Sequence, residues 1–227
     1  MSDYFKFPST KHIMLPDDEN ARRDKVLGSD EIKEFLSNQI TIEEKVDGAN
    51  LGISFDSGGN LRAQNRGHWI MEPYEGQWSR LKTWITPRLD CLFEVLLDKY
   101  ILFGEWCYAR HSIFYDRLPD WFIGFDIYDK EAEKFLAVDR RNSFLNQMGI
   151  CIIHSYGTGK YTLKELINFR PKSDYGDVTC EGIYLRWDEG EWLKQRAKLV
   201  QKDFRQNINE HWTKSTLVPN QLKNHRQ

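Results

Sequence analysis

A chain of 227 residues, 40% hydrophobic and 29% charged, has the composition of a globular protein with room for one large domain or two small ones. Its formal net charge of -2 excludes a global basic field, so any polyanion site must be a local patch. The four cysteines form no C-x-x-C pair and no apolar run is long enough to cross a bilayer, which argues against a zinc site, a disulfide framework or a membrane span. A reducing, cytoplasmic setting fits this cysteine usage, and Met1–Lys6 lacks a signal-peptide pattern.

Residues 1–30 are polar and turn-rich, with Pro8, Pro16 and Gly28, and read as an irregular arm. Ser29 or Asp30 is positioned to cap a short helix through Leu36. Extended segments follow at about 40–45, 50–56 and 61–66, the last two joined by the hairpin signal Asp56-Ser-Gly-Gly-Asn60. Residues 75–100 have helical character, with Pro87 in the first turn of a second helix. Leu89, Leu92, Phe93, Leu96 and Leu97 recur there at helical spacing and are most simply core.

Residues 101–108 read as a strand, and Trp121–Tyr128 as another, apolar enough to be buried on both faces. Asp139 is expected to cap a helix ending near Gly149, and 151–154 forms a short strand. Thr162 and Glu165 have capping-box spacing for a helix to about Phe169. Strands at 182–187 and 191–200 flank the turn Asp188-Glu-Gly190, and the polar tail 201–227 carries a helix near 203–214. This order of elements predicts a single α+β domain over 1–227 with antiparallel sheets.

Lys45 stands between the first two extended segments, before the polar turn Asp47-Gly48-Ala49-Asn50. A lysine so placed is a nucleophile or an ordinary surface cation. Glu105, Asp126 and Glu181 lie within or at the head of apolar strands, where an unpaired carboxylate is costly. One such acid is commonly a structural ion-pair partner; three beside a candidate nucleophile favour a site. Lys194, Arg196 and Lys198 alternate along the last strand and so share one face, and Arg66 follows the hairpin.

Together these residues resemble the covalent nucleotidyltransferases, the superfamily of ATP-dependent DNA ligases, RNA ligases and mRNA capping enzymes. Lys45-Val-Asp-Gly48 is similar to their K-x-D/H-G acceptor motif, and Arg66 to the arginine downstream of it. Glu105 in Phe-Gly-Glu-Trp resembles the third motif, and Phe125-Asp126 its variant companion. Glu181-Gly-Ile-Tyr-Leu-Arg186 resembles the fourth, and Arg196-Ala-Lys-Leu-Val200 the fifth. A lone K-x-D-G is weak, whereas this ordered set across residues 45–200 is strong. The spellings around Lys45, Phe125 and Glu181 look most similar to the RNA-ligase-2-like branch.

The resemblance implies an ATP-grasp-like ligase adenylation domain that joins 5′-phosphate and 3′-hydroxyl RNA ends through a lysyl-AMP, a chemistry of RNA repair. Lys45, Asn50, Arg196 and Lys198 are the implied catalytic residues. Glu44, Lys45, Arg66, Glu105, Phe125, Glu181, Arg196 and Lys198 are implied to bind nucleotide, with Phe125 stacking on adenine or simply packing in the core. Glu105, Asp126 and Glu181 are implied ligands of Mg2+ or Mn2+. Two features depart from the family pattern. Arg196 stands where a lysine is usual, and only residues 201–227 follow the last motif, too few for a C-terminal OB-fold. The expected partners are therefore RNA, held with help from a partner protein or domain, or from the arm and its cations Arg22, Arg23 and Lys25. A minimal DNA ligase, a capping guanylyltransferase and a non-catalytic nucleotide- or RNA-binding module stay open as alternatives.

Overall fold

The computed structural model describes residues 4–14, 25–201 and 217–223. The helix expected near 203–214 and the arm cations Arg22 and Arg23 lie outside the described residues. Two sheets carry the fold. A four-stranded antiparallel sheet has the order β11-β10-β1-β9, built from Trp192–Val200, Gly182–Glu189, Ile40–Lys45 and Ser155–Gly159. The larger sheet runs β4-β3-β2-β5-β6-β7: Trp69–Ile70, Leu61–Gln64, Ala49–Phe55, Tyr100–Trp106, Phe122–Asp129 and Lys134–Phe135. Its pairs are antiparallel except that β8 (Cys151–Ile152) joins β6 in parallel.

The α+β expectation with antiparallel sheets agrees with this arrangement. β1 and β2 do not pair with each other: β1 belongs to the small sheet and β2 to the large one. The chain changes sheets in the three residues after Lys45, so the lysine sits at their junction.

Each sheet has its own apolar core. Ile40 and Ile42 of β1 pack with Phe35, Leu166, Ile183 and Leu185 against α1 (Ser29–Ser37) and α5 (Leu163–Asn168). Leu51 and Ile53 of β2 pack with Leu81, Trp84 and Leu92 against α2 (Leu81–Ile85) and α3 (Leu89–Leu96). In β1 the alternation is complete: Ile40 and Ile42 go to the helices, so Glu43 and Lys45 turn to the other face.

Several local expectations need correction. α1 is capped by Gly28, whose N–H donates to the Glu31 carboxylate (2.7 Å), not by Ser29 or Asp30. α4 (Val138–Gln147) starts before Asp139, because Asp188 Oδ2 accepts the Val138 amide (2.7 Å) and provides the cap from another strand. In α3, Leu92 and Leu96 are buried but Leu89, Phe93 and Leu97 are 40%, 41% and 47% exposed. The helix is short and Leu97 leaves it at φ 44, so the apolar stripe is narrower than its sequence spacing suggests.

The Thr162 capping box forms as expected, with Glu165 N–H donating to Thr162 Oγ1 (3.2 Å) and Thr162 N–H to Glu165 Oε2 (2.7 Å). Strand β9 is unannounced by its Ser-Tyr-Gly-Thr-Gly sequence, which has no apolar alternation; pairing with β1 creates it. Part of the tail, 217–223, runs beside the loop after β5. There the Asn220 side chain accepts from Tyr115 N–H (2.9 Å) and donates to the Cys107 carbonyl (2.8 Å).

Candidate active site

Lys45 ends β1 opposite Gly182 of β10, and its ammonium pairs directly with the Glu181 carboxylate. Both side chains are mostly buried, at 16% and 10% exposure. Burial alone would lower the Lys45 pKa, but the charges of Glu181, Tyr184 and Glu105 outweigh it and hold the amine above its usual range. Glu105 comes from β5 in the other sheet, with its carboxyl pushed up to about 7 by burial; Lys45 and Arg66 act against that rise. Burial likewise raises the Glu181 carboxyl, against the pull of Lys45 and Lys198.

One glycine lets the two sheets approach this closely, and another lets β11 pair closely with β10. A Cβ on Gly48 would stand 2.8 Å from the Trp106 carbonyl and 3.0 Å from Glu105 Cγ. A Cβ on Gly182 would stand 2.2 Å from the Leu199 carbonyl. Lys-x-Asp-Gly and Glu-Gly are therefore packing requirements as well as chemical signatures. Asp47 has a scaffolding part: its Oδ2 accepts the amides of Ser112 (2.7 Å) and Ile113 (2.9 Å), fixing the loop after β5 beside Lys45.

Asn50 lies opposite Glu105 in the β2–β5 register. It is 8% exposed, and neither its side-chain oxygen nor its nitrogen has a hydrogen-bond partner. A buried amide without partners costs about 1–3 kcal/mol, which makes this an unusual group at a junction of acids and a lysine.

A narrow cavity of about 20 Å³ opens between the sheets, bordered by Val46, Glu105, Phe125, Ile153, Tyr184 and Arg196 among others. That volume suits about one water molecule. Phe125 borders this cavity and also packs edge-on against Phe7.

The cavity wall includes an ion cluster whose pairing the sequence did not announce. Arg141 donates to Glu43 Oε1 (2.6 Å) and to the Phe125 carbonyl (2.7 Å). Arg186 donates to Asp126 Oδ1 (2.6 Å), and Arg196 pairs with the other Asp126 oxygen. Glu43, Asp126, Arg141 and Arg186 are at most 3% exposed. Burial would raise the Asp126 carboxyl, but Arg186 and Arg196 hold it below its ordinary value. Glu43 could have been found from its spacing, two residues before Lys45 and hence on the same strand face. Arg141 carries no such signal, being one of two adjacent arginines on a helix.

This geometry revises several expected roles. Asp126, expected beside Glu105 and Glu181 as a metal ligand, has both its oxygens paired with guanidinium groups. Among the described residues no three His, Cys, Asp or Glu side chains group as a metal site. Glu44 borders the cavity, yet its carboxylate accepts from Ser173 Oγ (2.5 Å), Asp174 N–H (3.0 Å) and Tyr156 Oη (3.2 Å), on the opposite strand face from Lys45. Those three bonds brace the 173–174 loop.

Arg196 is held by Asp126 and by the rings of Phe7 and Phe135, 4.7 and 4.1 Å from its guanidinium carbon. Lys198 lies opposite Tyr184, near enough to Glu181 to act on its charge. Lys194 leaves the shared face: a register shift between Trp187 and Asp188 breaks the alternation, and Lys194 pairs with Glu189 (3.0 Å). The site thus brings together Lys45, Asn50, Arg66, Glu105, Phe125, Glu181, Arg196 and Lys198.

Solved structures with the same fold include Naegleria gruberi RNA ligase in several forms. An alanine mutant bound to ATP and Mn has a TM-score of 0.63 at 15% identity, covering 80% of this chain and 55% of that one. A second mutant with ATP and Mn has a TM-score of 0.67 at 14% identity, covering 91% and 59%. The form with PPi has a TM-score of 0.64 at 17% identity, covering 78% and 53%. The chain thus spans little more than half the length of these neighbours, and identities this low establish the shared fold alone. No curated relative matches the chain by sequence. The RNA ligase family, however, matches residues 38–200, a span that runs from β1 through β11 and holds Lys45 and every other residue brought together around it. By that match the chain belongs to the RNA ligase family.

Proposed function

We propose that this chain is an ATP-dependent RNA ligase that joins 5′-phosphate and 3′-hydroxyl ends through a lysyl-AMP on Lys45. The observation that carries this reading is the buried Lys45–Glu181 pair at the junction of two sheets, with Glu105 contributed from the other side. The Naegleria gruberi structures with ATP and Mn support the choice of nucleotide and divalent ion.

In the first step the neutral Lys45 amine bonds to the α-phosphorus of ATP while the bond to the pyrophosphate oxygen breaks. Lys45 is held as a cation here, so its proton must leave first; Glu181, raised by burial, is the adjacent acceptor. AMP then passes to the RNA 5′-phosphate oxygen, restoring the Lys45 amine. The 3′-hydroxyl attacks that 5′-phosphorus, AMP departs, and a phosphodiester bond remains. Lys198 and Arg196 face the phosphates, Arg66 the ribose or a phosphate, and Phe125 the base. Asn50, with both polar atoms unpartnered, acts in the last step.

Glu105 and Glu181 fit Mg2+ or Mn2+, since such ions take one or two carboxylates and complete their shell with phosphates and water. When bound there, the ion supplies positive charge that lowers the Lys45 pKa and offsets charge on the phosphates. With a net charge of -2, the chain holds RNA weakly by itself, and a protein partner or further domain completes the grip.

Incubation with α-labelled ATP and Mg2+, followed by a denaturing gel, tests the reading. Label is expected on the wild-type chain and absent from Lys45→Ala; label retained by Lys45→Ala refutes the nucleophile. One observation favours a nucleotide-binding module without catalysis, namely that Arg196 is already engaged by Asp126. That reading predicts ATP binding with no label on the wild type. Nicked RNA and nicked DNA duplexes, compared side by side, separate an RNA from a DNA ligase.

A further inference from the structure

The N-terminal arm is tied at its two ends to different sheets. At one end Tyr4 Oη donates to the Asn65 carbonyl (2.8 Å) and Gln64 Nε2 to the Phe5 carbonyl (2.6 Å), immediately before Arg66. At the other, Lys198 N–H donates to the Lys11 carbonyl (3.0 Å) and Ile13 N–H to the Lys198 carbonyl (2.9 Å). The arm therefore joins the segment that carries Arg66 to the strand that carries Arg196 and Lys198.

Phe7 lies between these anchors and is 3% exposed. Its ring centre is 5.9 Å from the Arg66 guanidinium carbon and 4.7 Å from that of Arg196. Its ring also meets Phe125 edge-on at 5.5 Å and borders the same cavity. Two guanidinium groups near one ring repel each other in the absence of a shared partner, and the negative face of an aromatic ring is such a partner. Any apolar side chain of similar size could fill the volume, but only an aromatic one offers that face.

We infer that Phe7 is a positioning residue for nucleotide transfer, setting Arg66 and Arg196 relative to each other so that ATP meets both at once. The inference rests on the ATP-dependent reading above. It also makes the arm part of the site, although it lies outside the matched span 38–200.

The test is self-adenylation at varied ATP with Phe7→Leu and Phe7→Tyr. Loss of the aromatic face is expected to raise the KM for ATP about tenfold, equivalent to about 1.4 kcal/mol and within the range of cation–π contacts. The rate at saturating ATP should change less than about twofold, on the argument that ground-state positioning moves KM. Phe7→Tyr should restore the KM, and adding Phe7→Leu to Arg66→Ala should raise it less than it does alone. An unchanged KM in Phe7→Leu, equal damage in Phe7→Tyr, or a KM that falls because the arm obstructs the pocket would each overturn the inference. If Phe7→Leu does not fold, pentafluorophenylalanine at position 7 keeps the ring volume and abolishes its negative face; the same rise supports the inference and an unchanged KM overturns it. If the wild type takes no label, the adenylation reading fails by itself, and equilibrium ATP binding by the same variants then decides Phe7: about tenfold weaker supports it, and equal overturns it.

Discussion

Replacing Glu43 by Gln removes one charge from the ion cluster of the cavity wall while keeping the side chain's shape. The cluster sets three carboxylates, Glu43, Asp126 and Asp188, against three guanidinium groups, Arg141, Arg186 and Arg196. Glu43 takes a 2.6 Å bond from Arg141 and lies 4.0 Å from Arg186 Nε, at 2% exposure. The variant leaves a buried positive charge uncompensated. Breaking a buried pair from one side costs about 3–5 kcal/mol. In a chain of this size each kcal/mol lowers Tm by roughly 2–4 °C, so the expected fall is roughly 6–20 °C. Urea denaturation read by tryptophan fluorescence measures it. The double variant Glu43→Leu with Arg141→Met should recover part of the loss, since removing both partners leaves no lone charge between them. A loss under about 1 kcal/mol for Glu43→Gln would refute the argument, because it would mean that water or a rearranged partner reaches these groups.

With its carboxyl pushed up to about 7, Glu105 binds a proton in the folded chain that it releases nearer 4.5 when unfolded. Its contribution to stability is thus full at low pH and is lost as pH rises from about 4.5 through about 7. Divalent-ion affinity should run the other way, strengthening as pH rises through about 7; Mn2+ calorimetry across that range checks it, and Glu105→Gln should flatten the dependence. Asn50→Ala should keep or raise stability, by up to about 1 kcal/mol, because it removes two unpartnered buried groups. The same variant should still accept AMP on Lys45 but seal pre-adenylated RNA at least about tenfold more slowly; normal sealing would exclude its assigned part. Arg196→Lys, a return to the usual residue of the family motif, should destabilise the chain by about 1–2 kcal/mol, because an ammonium cannot keep both the Asp126 pair and the two ring contacts. Chemical denaturation reads this, and an unchanged midpoint would show that the guanidinium geometry is dispensable.

The amino-acid sequence alone determined the strands that carry chemistry, because each joins an apolar run to an out-of-place charge: Glu105 in β5, Asp126 in β6, Glu181 before β10. It also determined the turn at Asp56, where Oδ1 accepts the amides of Gly58 (3.0 Å) and Asn60 (2.8 Å), and the Thr162 helix start. These are local signals, written within a few residues. Tertiary structure decided what each charge does. Asp126 and Glu105 are both acids in apolar strands, yet one meets two arginines and the other lies within the electrostatic reach of Lys45 across a sheet junction. Which partner a buried charge finds depends on the register of strands far apart in sequence, as Lys45 and Glu181 are. No spacing rule encodes that Arg141, from a helix, reaches Glu43, or that Phe7, from an arm without regular structure, reaches Arg66 and Arg196. The residue types were legible because their chemistry is local; their pairing was not, because the cost of burying charge is settled only when two sheets close on each other.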